Sequence, residues 1–171
     1  MPDPGAATRA IERSHHPVGR ARFHFAILTH GALAATRRCL QTLAATVTAP
    51  FQVFVVDNAS GDGTQDWLRS RQEPRLHWQL NAQNRGVPGG RNDLLEFALP
   101  HLGDTDWLVF CDNDLEFEAG WLAHFEAAIA AHPDACVLGK VGHFLEVRGD
   151  RRVLLPAATA TGPVDVVSGG F

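Results

Sequence analysis

Several features that would send a chain of this size elsewhere are missing. There is no surplus of positive charge: 15 Lys and Arg stand against 19 Asp and Glu, for a formal net charge of -4 and a pI near 6.1. That balance argues against nucleic acid, or an anionic membrane surface, as the main partner. No apolar run approaches the roughly 18 residues of a membrane span, and the amino terminus lacks the apolar core of a signal peptide, so no span is expected. The three cysteines, Cys39, Cys111 and Cys136, are odd in number, widely spaced and set in apolar surroundings. Neither a disulfide framework nor a zinc site follows from that pattern. A reducing cytoplasm is the expected compartment, with peripheral association at the inner membrane face as the alternative.

What is present fits one domain. With 171 residues, 45% of them hydrophobic and 20% charged, the chain can bury one good core and is short for two. Residues 1–20 are rich in Pro, Gly, Ala, Arg and His without sustained periodicity and are expected to be a flexible leader. His15 and His16 lie there without the further ligands a metal site needs. Residues 21–171 are expected to form the folded domain, with order beginning at Phe23. Apolar strands are predicted over 23–28, 51–56, Leu76–Leu80, 107–111 and 136–141, and a looser hairpin over 142–155. Helices are predicted over 33–47, from near Gln65, from Gly89 or Gly90 to Pro100, and over Trp121–Ala131. Strand, polar loop and helix in alternation predict an α/β fold, a three-layer sandwich with a mostly parallel central sheet.

The stretch from Asp106 to Phe117 organises the rest. Trp107 to Cys111 has the composition of a strand buried on both faces of a parallel sheet, and it stops at Asp112-Asn113-Asp114. Carboxylates so placed leave the sheet at its carboxyl edge, where open α/β folds hold ligands. Asp112 and Asp114 are two apart, so an extended backbone would point both the same way. Together they make a hard, all-oxygen site suited to Mg2+ or Mn2+, which completes its shell with substrate phosphates. The other reading is an acidic turn that caps a strand.

Asp57 ends its strand at the same edge, before Asn58-Ala59-Ser60-Gly61-Asp62-Gly63-Thr64. It can accept a hydrogen bond from a base or a ribose, or it can close an Asx-turn in its own loop; composition leaves both open. In Asn84-Arg85-Gly86-Val87-Pro88-Gly89-Gly90-Arg91-Asn92 the glycines allow a tight turn and close backbone approach. The helix that follows would turn its amino end and Arg91 towards a diphosphate. Arg85 is a second candidate there, or a solvated loop arginine. The loop is neither a dinucleotide fingerprint nor a P-loop, because the lysine of the latter is missing.

Taken together, Ile27-Leu28-Thr29, the 55–64 segment, the 84–92 segment and Asp112-Asn113-Asp114 occur in an order and spacing that resembles the family 2 glycosyltransferases, inverting sugar-nucleotide enzymes of the GT-A fold. The likeness spans about residues 23–171, and the Gly-Gly-Arg-Asn form is most similar to rhamnosyltransferase-like members. The resemblance implies a nucleotide-binding role for Thr29, Asp57, Arg91 and Asp112, with Asp57 recognising a pyrimidine base, and a metal-binding role for Asp112 and Asp114. It implies Mn2+ or Mg2+ as cofactor, a nucleoside-diphosphate sugar as donor with UDP- or dTDP-linked forms favoured, and a glycan, lipid or other hydroxyl compound as acceptor.

An inverting transfer also needs a general base on the acceptor hydroxyl. In the family that carboxylate lies well downstream of the metal motif, past a Gly-Gly-Phe strand, where this sequence has ended at Phe171. No base is carried over, and the carboxyl-terminal part of a GT-A domain is expected to be missing. The alternative is a module that binds sugar nucleotide without transferring it. A nucleotidyltransferase would need a basic Gly-rich loop after the first strand, and a receiver domain an acidic pair there. Thr29-His30-Gly31 supplies neither.

Overall fold

The computed structural model describes residues 11–15 and 17–133, together with the backbone of 143–148 and 151–156. The predicted strand 136–141, His16 and the 164–171 segment lie outside the described residues. The chain divides into two compact units, Met1–Ala119 and Gly120–Phe171.

The first unit is built on a five-stranded sheet of order β1-β4-β3-β2-β5, with β1 at Glu12–Arg13, β2 at Phe23–Thr29, β3 at Phe51–Asp57, β4 at Leu76–Leu80 and β5 at Trp107–Asp112. The last four are parallel to one another, and β1 runs antiparallel to β4, Glu12 facing Leu80 and Arg13 facing Gln79. Helices lie between the parallel strands: α1 at Leu33–Thr46, α2 at Thr64–Arg69 and α3 at Gly86–Ala98, the last followed by a 3-10 turn at Leu99–His101.

Side-chain alternation explains the layers. Ala26 of β2, with Phe54 and Val56 of β3, makes one core with Leu94, Phe97 and Ala98 of α3. Phe54 is fully buried and meets Phe97 edge-on, ring centroids 5.3 Å apart, and burying such a side chain stabilises the fold by about 1.5–3 kcal/mol. The opposite face carries Phe25, Ile27, Val53 and Val55, all buried, with Thr36, Cys39 and Leu43 the buried positions of α1. Near the amino ends of the strands the α3 face turns polar. Buried His24 lies 3.1 Å from Asp106, and His77 lies 2.9 Å from Gln52.

Three expectations need correction. Order begins before Phe23, because Glu12 and Arg13 gain backbone partners on β4, and Arg13 and Glu12 reach Gln79 and Arg69 through their side chains. β5 is not a strand buried on both faces: it stands last in the five-stranded order, and Phe110 is 44% exposed. α3 starts a turn earlier than predicted, at Gly86. Gly86 has φ +68°, and Pro88 costs no hydrogen bond in a first turn, where N–H groups have no helical partner.

In the second unit, α4 at Trp121–Ala131 carries an edge-on Trp121–Phe125 pair, centroids 5.7 Å apart. The expected hairpin is present as β6 at His143–Arg148 and β7 at Arg151–Pro156, antiparallel with Arg148 facing Arg151.

Candidate functional site

The parallel strands bring several predicted residues to one edge. Thr29 faces Asp57, Asp57 faces Leu80, and Leu28 faces Asp112. With neighbouring strands about 4.8 Å apart, the end of β3 lies roughly 10 Å from the end of β5. Because Leu28 and Thr29 point to opposite faces of β2, the register puts Asp112 on the α3 side and Thr29 and Asp57 on the α1 side.

On the α3 side, Arg91 reaches the end of β5. Its Nη2 stands 3.6 Å from Asp112 Oδ1, and its guanidinium lies 5.9 Å from the centre of the Phe110 ring. Both members of the pair keep solvent access, at 32% and 42% of their side-chain surface. Asp114 is exposed and takes no hydrogen bond or ion pair from any described residue. The chain is not extended between the two carboxylates. The strand ends at Asp112, residues 113–114 turn, and Leu115 N–H donates back to the Asp112 carbonyl at 3.4 Å. Asp112 and Asp114 are therefore residues of a turn rather than an i, i+2 pair on one strand face.

On the α1 side the carboxylates are already in use. Asp57 is fully buried; its Oδ1 accepts from the Ser60 amide at 2.9 Å and from Gln65 Nε2 at 2.7 Å, while Oδ2 accepts from the Ser60 hydroxyl. Of the two readings left open for Asp57, this geometry supplies the loop-closing one, its backbone bond reaching three residues on to Ser60. Asp62 accepts from the Leu33 amide, which opens α1, and from the amide and hydroxyl of Thr64, which opens α2. The Thr64 hydroxyl first, and then the Leu33 amide, hold its carboxyl below the ordinary value. Thr29 is 1% exposed, and its hydroxyl sits 3.1 Å from the Gly31 carbonyl and 3.0 Å from the Thr36 hydroxyl.

The loops behind the edge are stitched together by residues that pattern reading passed over. Asn58 donates to Asn84 Oδ1 and to the Gly86 carbonyl, and its own Oδ1 accepts from the Arg85 amide and from Asn81. Buried Asp93 accepts from Asn81 at 2.7 Å and pairs with Arg85. Arg85 is thus neither a free solvated arginine nor a free phosphate ligand. Asp93 was legible in principle, because it shares a helix stripe with Gly90, Leu94 and Phe97, and an acid on a core stripe must be paired. The Gly-Gly step serves packing as well. A Cβ on Gly90 would lie 2.5 Å from Leu28 Cδ1, so the close approach is that of α3 to β2.

His30 keeps an exposed ring on the same edge. Its Nδ1 lies 2.9 Å from the Asn58 carbonyl, which can only accept, so Nδ1 carries the proton.

Among the described residues no group of three or more His, Cys, Asp and Glu is arranged to hold a metal ion, and no helix is long and apolar enough to cross a membrane. A pair of accessible carboxylates nevertheless fits a hard divalent cation of the Mg2+ or Mn2+ type, which keeps several positions for water and substrate phosphate.

The sequence profile described as Glycosyl transferase family 2 matches residues 25–160. No curated protein matches the chain. Among solved structures, S. aureus TarS 1-349 in complex with UDP is similar with a TM-score of 0.54 and 24% identity, over 66% of this chain and 33% of that one. The same TarS fragment in complex with UDP-GlcNAc gives 0.54 and 24%, over 66% and 32%. The mannosyltransferase PcManGT from Pyrobaculum calidifontis, in complex with GDP-Man and Mn2+, gives 0.53 and 21%, over 78% and 38%. The likeness shows the GT-A type of α/β fold, and this chain spans about a third of the length of these structures.

Proposed function

The chain belongs to glycosyl transferase family 2, and from that premise we propose that it is the donor-binding part of a sugar-nucleotide-dependent glycosyltransferase. The donor is a nucleoside-diphosphate sugar, and the sugar passes with inversion to the hydroxyl of a glycan, lipid or other acceptor. The observation that carries this reading is the meeting of Arg91 from α3 with Asp112 from β5 at the carboxyl edge of the sheet, with Asp114 on the turn beside them. Each keeps solvent access, so a diphosphate with its cation can approach the guanidinium and the two carboxylates from solvent.

Arg91 pairs with a phosphate oxygen as the leaving diphosphate gathers charge, and its fork geometry suits that anion. Asp112 and Asp114 would hold a divalent cation, Mn2+ or Mg2+, which when bound supplies Lewis-acid compensation for the same charge. A pyrimidine donor of the UDP or dTDP type is favoured by Asp57, through the family position it occupies. That position is one of support as much as contact, because its oxygens already hold Ser60 and Gln65. Thr29 acts likewise, lining the first strand's end from a buried place. The neighbours solved with UDP, UDP-GlcNAc and GDP-Man with Mn2+ support a nucleotide-sugar ligand and a divalent metal.

One observation favours a second reading, binding without transfer. Of the acids just past the acidic turn, Glu116 pairs with Arg38 and Glu118 is an exposed acid shortly before α4, and neither is assigned as the base. Calorimetric titration with UDP, dTDP and GDP, with and without Mn2+, tests the pocket, and donor hydrolysis then separates the two readings. Tight binding with neither hydrolysis nor transfer would favour the module.

A further inference from the structure

Asn113 enters a sequence reading only as the spacer between two acids, yet its side chain is the one that turns inward. Its Nδ2 stands 3.2 Å from Thr29 Oγ1 and 3.0 Å from Thr36 Oγ1. An amide nitrogen has two protons, and each has an acceptor here. Thr29 and Thr36 are 1% and 0% exposed, and the carbonyls of Gly31 and Ala32 stand 3.1 and 3.3 Å from their respective hydroxyls, ready to take the hydroxyl protons. One assignment uses every proton: the amide gives to two hydroxyls and the hydroxyls give to two carbonyls at the entry to α1, which leaves the 3.0 Å contact between the two hydroxyls without a proton of its own. A carboxylate at position 113 has no proton to give, so both hydroxyls would have to turn towards it and leave those carbonyls.

The same helix grips the turn at further points. Cys39 Sγ lies 3.6 Å from the Asp112 carbonyl, Thr42 Oγ1 accepts the Phe117 amide at 3.1 Å, and Arg38 pairs with Glu116 at 3.1 Å. Thr36, Cys39 and Thr42 follow one another at three-residue steps, a single stripe of α1. The stripe holds the backbone from Asp112 to Phe117, while Asp112 and Asp114 keep their own carboxylates accessible.

We infer that Asn113, anchored by Thr29 and Thr36, is a positioning residue that fixes the acidic turn for cation and diphosphate binding. The inference rests on the proposed donor-binding reading. It gives Thr29 a stated task, which is to support the metal turn. Partners that orient ligating groups in this way typically change metal affinity by about 10- to 100-fold when removed.

The test uses the full chain with Asn113→Ala, Asn113→Asp, Thr36→Val and Thr36→Ser, and UDP as probe. Three quantities are read: the Mn2+ concentration that half-saturates the gain in UDP affinity, UDP affinity without metal, and the thermal midpoint. Asn113→Ala, Asn113→Asp and Thr36→Val are expected to raise the Mn2+ requirement about 10- to 100-fold with metal-free UDP affinity unchanged, and Thr36→Ser to keep wild-type Mn2+ dependence. If Asn113→Ala does not fold, the Thr36→Val and Thr36→Ser pair carries the comparison. Folded variants with wild-type Mn2+ dependence would overturn the inference alone, as would an equal loss of metal-free affinity, which would mark a merely structural role. A wild-type protein whose UDP affinity ignores Mn2+ would instead remove the donor-site reading, and this inference with it.

Discussion

Arg91 Nη2, carried by α3, lies 3.6 Å from the Asp112 carboxylate at the end of β5. An ion pair this exposed contributes little to stability, typically no more than about 1 kcal/mol. Its place at the sheet edge suits a ligand better than a fold. Arg91→Ala is therefore expected to leave the thermal midpoint within the small range of surface substitutions, about 0.5 kcal/mol either way. UDP affinity should fall about 10-fold or more, the size of a lost hydrogen bond to a charged group. Calorimetry beside thermal melting checks both; a large drop in midpoint with unchanged affinity would make the pair structural.

Asp114 has no described partner to lose. Asp114→Ala should accordingly melt like the parent and lose the Mn2+-dependent part of nucleotide binding. Titrating UDP into the variant at saturating and at zero Mn2+ reads this directly. A Mn2+-dependent affinity equal to that of the parent would defeat the assignment.

Asp57 is expected to behave in the opposite way. Its carboxylate is buried and accepts from Ser60 twice and from Gln65. Removing it in Asp57→Ala leaves donors without partners, at about 1–3 kcal/mol for each buried group so stranded. The midpoint should fall more than for any edge variant above. If Asp57→Ala instead melts normally and loses the preference for UDP over GDP, Asp57 reads the base and does not merely hold its loop.

The thiols give a pH prediction. Burial first, and then the nearby Asp114 carboxylate, push Cys39 from 9.0 up to about 11, and burial pushes Cys111 upward too. Below pH 9 both thiols are protonated in folded and unfolded chains alike. Between about pH 9 and pH 11 the unfolded chain ionises Cys39 while the folded chain does not, so stability falls as pH rises through that window. The sequence has no tyrosine, and Lys140 is its sole lysine, so few other groups titrate there. Chemical denaturation from pH 8 to 11 should show the decline; Cys39→Ser should make it shallower, and the part that remains belongs to Cys111, whose thiol is pushed upward as well. An unchanged slope in Cys39→Ser would mean that Cys39 is not the group responsible.

The strands were legible because β-branched and aromatic runs ended sharply in polar turns; Leu76–Leu80 coincides with its prediction residue for residue. The parallel order followed from the helices between them. β1 was not legible, since Glu12 and Arg13 make a two-residue strand whose only signature is its pairing with Gln79 and Leu80. Trp107 to Cys111 reads the same wherever a strand stands in a sheet, so its place in the order of the described strands came only from the pairing. Of the candidate site, Asp112, Asp114 and Arg91 could be picked out by residue type and by their place after a strand or a Gly-rich loop. Asn113, Thr36, Asn58 and Asn81 could not be assigned their tasks, because each works through a partner at least 12 positions away. Their hydrogen bonds exist only once β2, β3, β4 and β5 are side by side.

The central claim is that the turn at Asp112 and Asp114 holds a divalent cation together with a nucleoside diphosphate. Electron paramagnetic resonance of Mn2+ titrated into the protein with UDP, compared with an Asp112→Asn/Asp114→Asn variant at equal concentrations, tests it most directly. Bound Mn2+ should appear in the parent when UDP is present and be absent from the variant. Equal Mn2+ uptake by the two proteins would contradict the account.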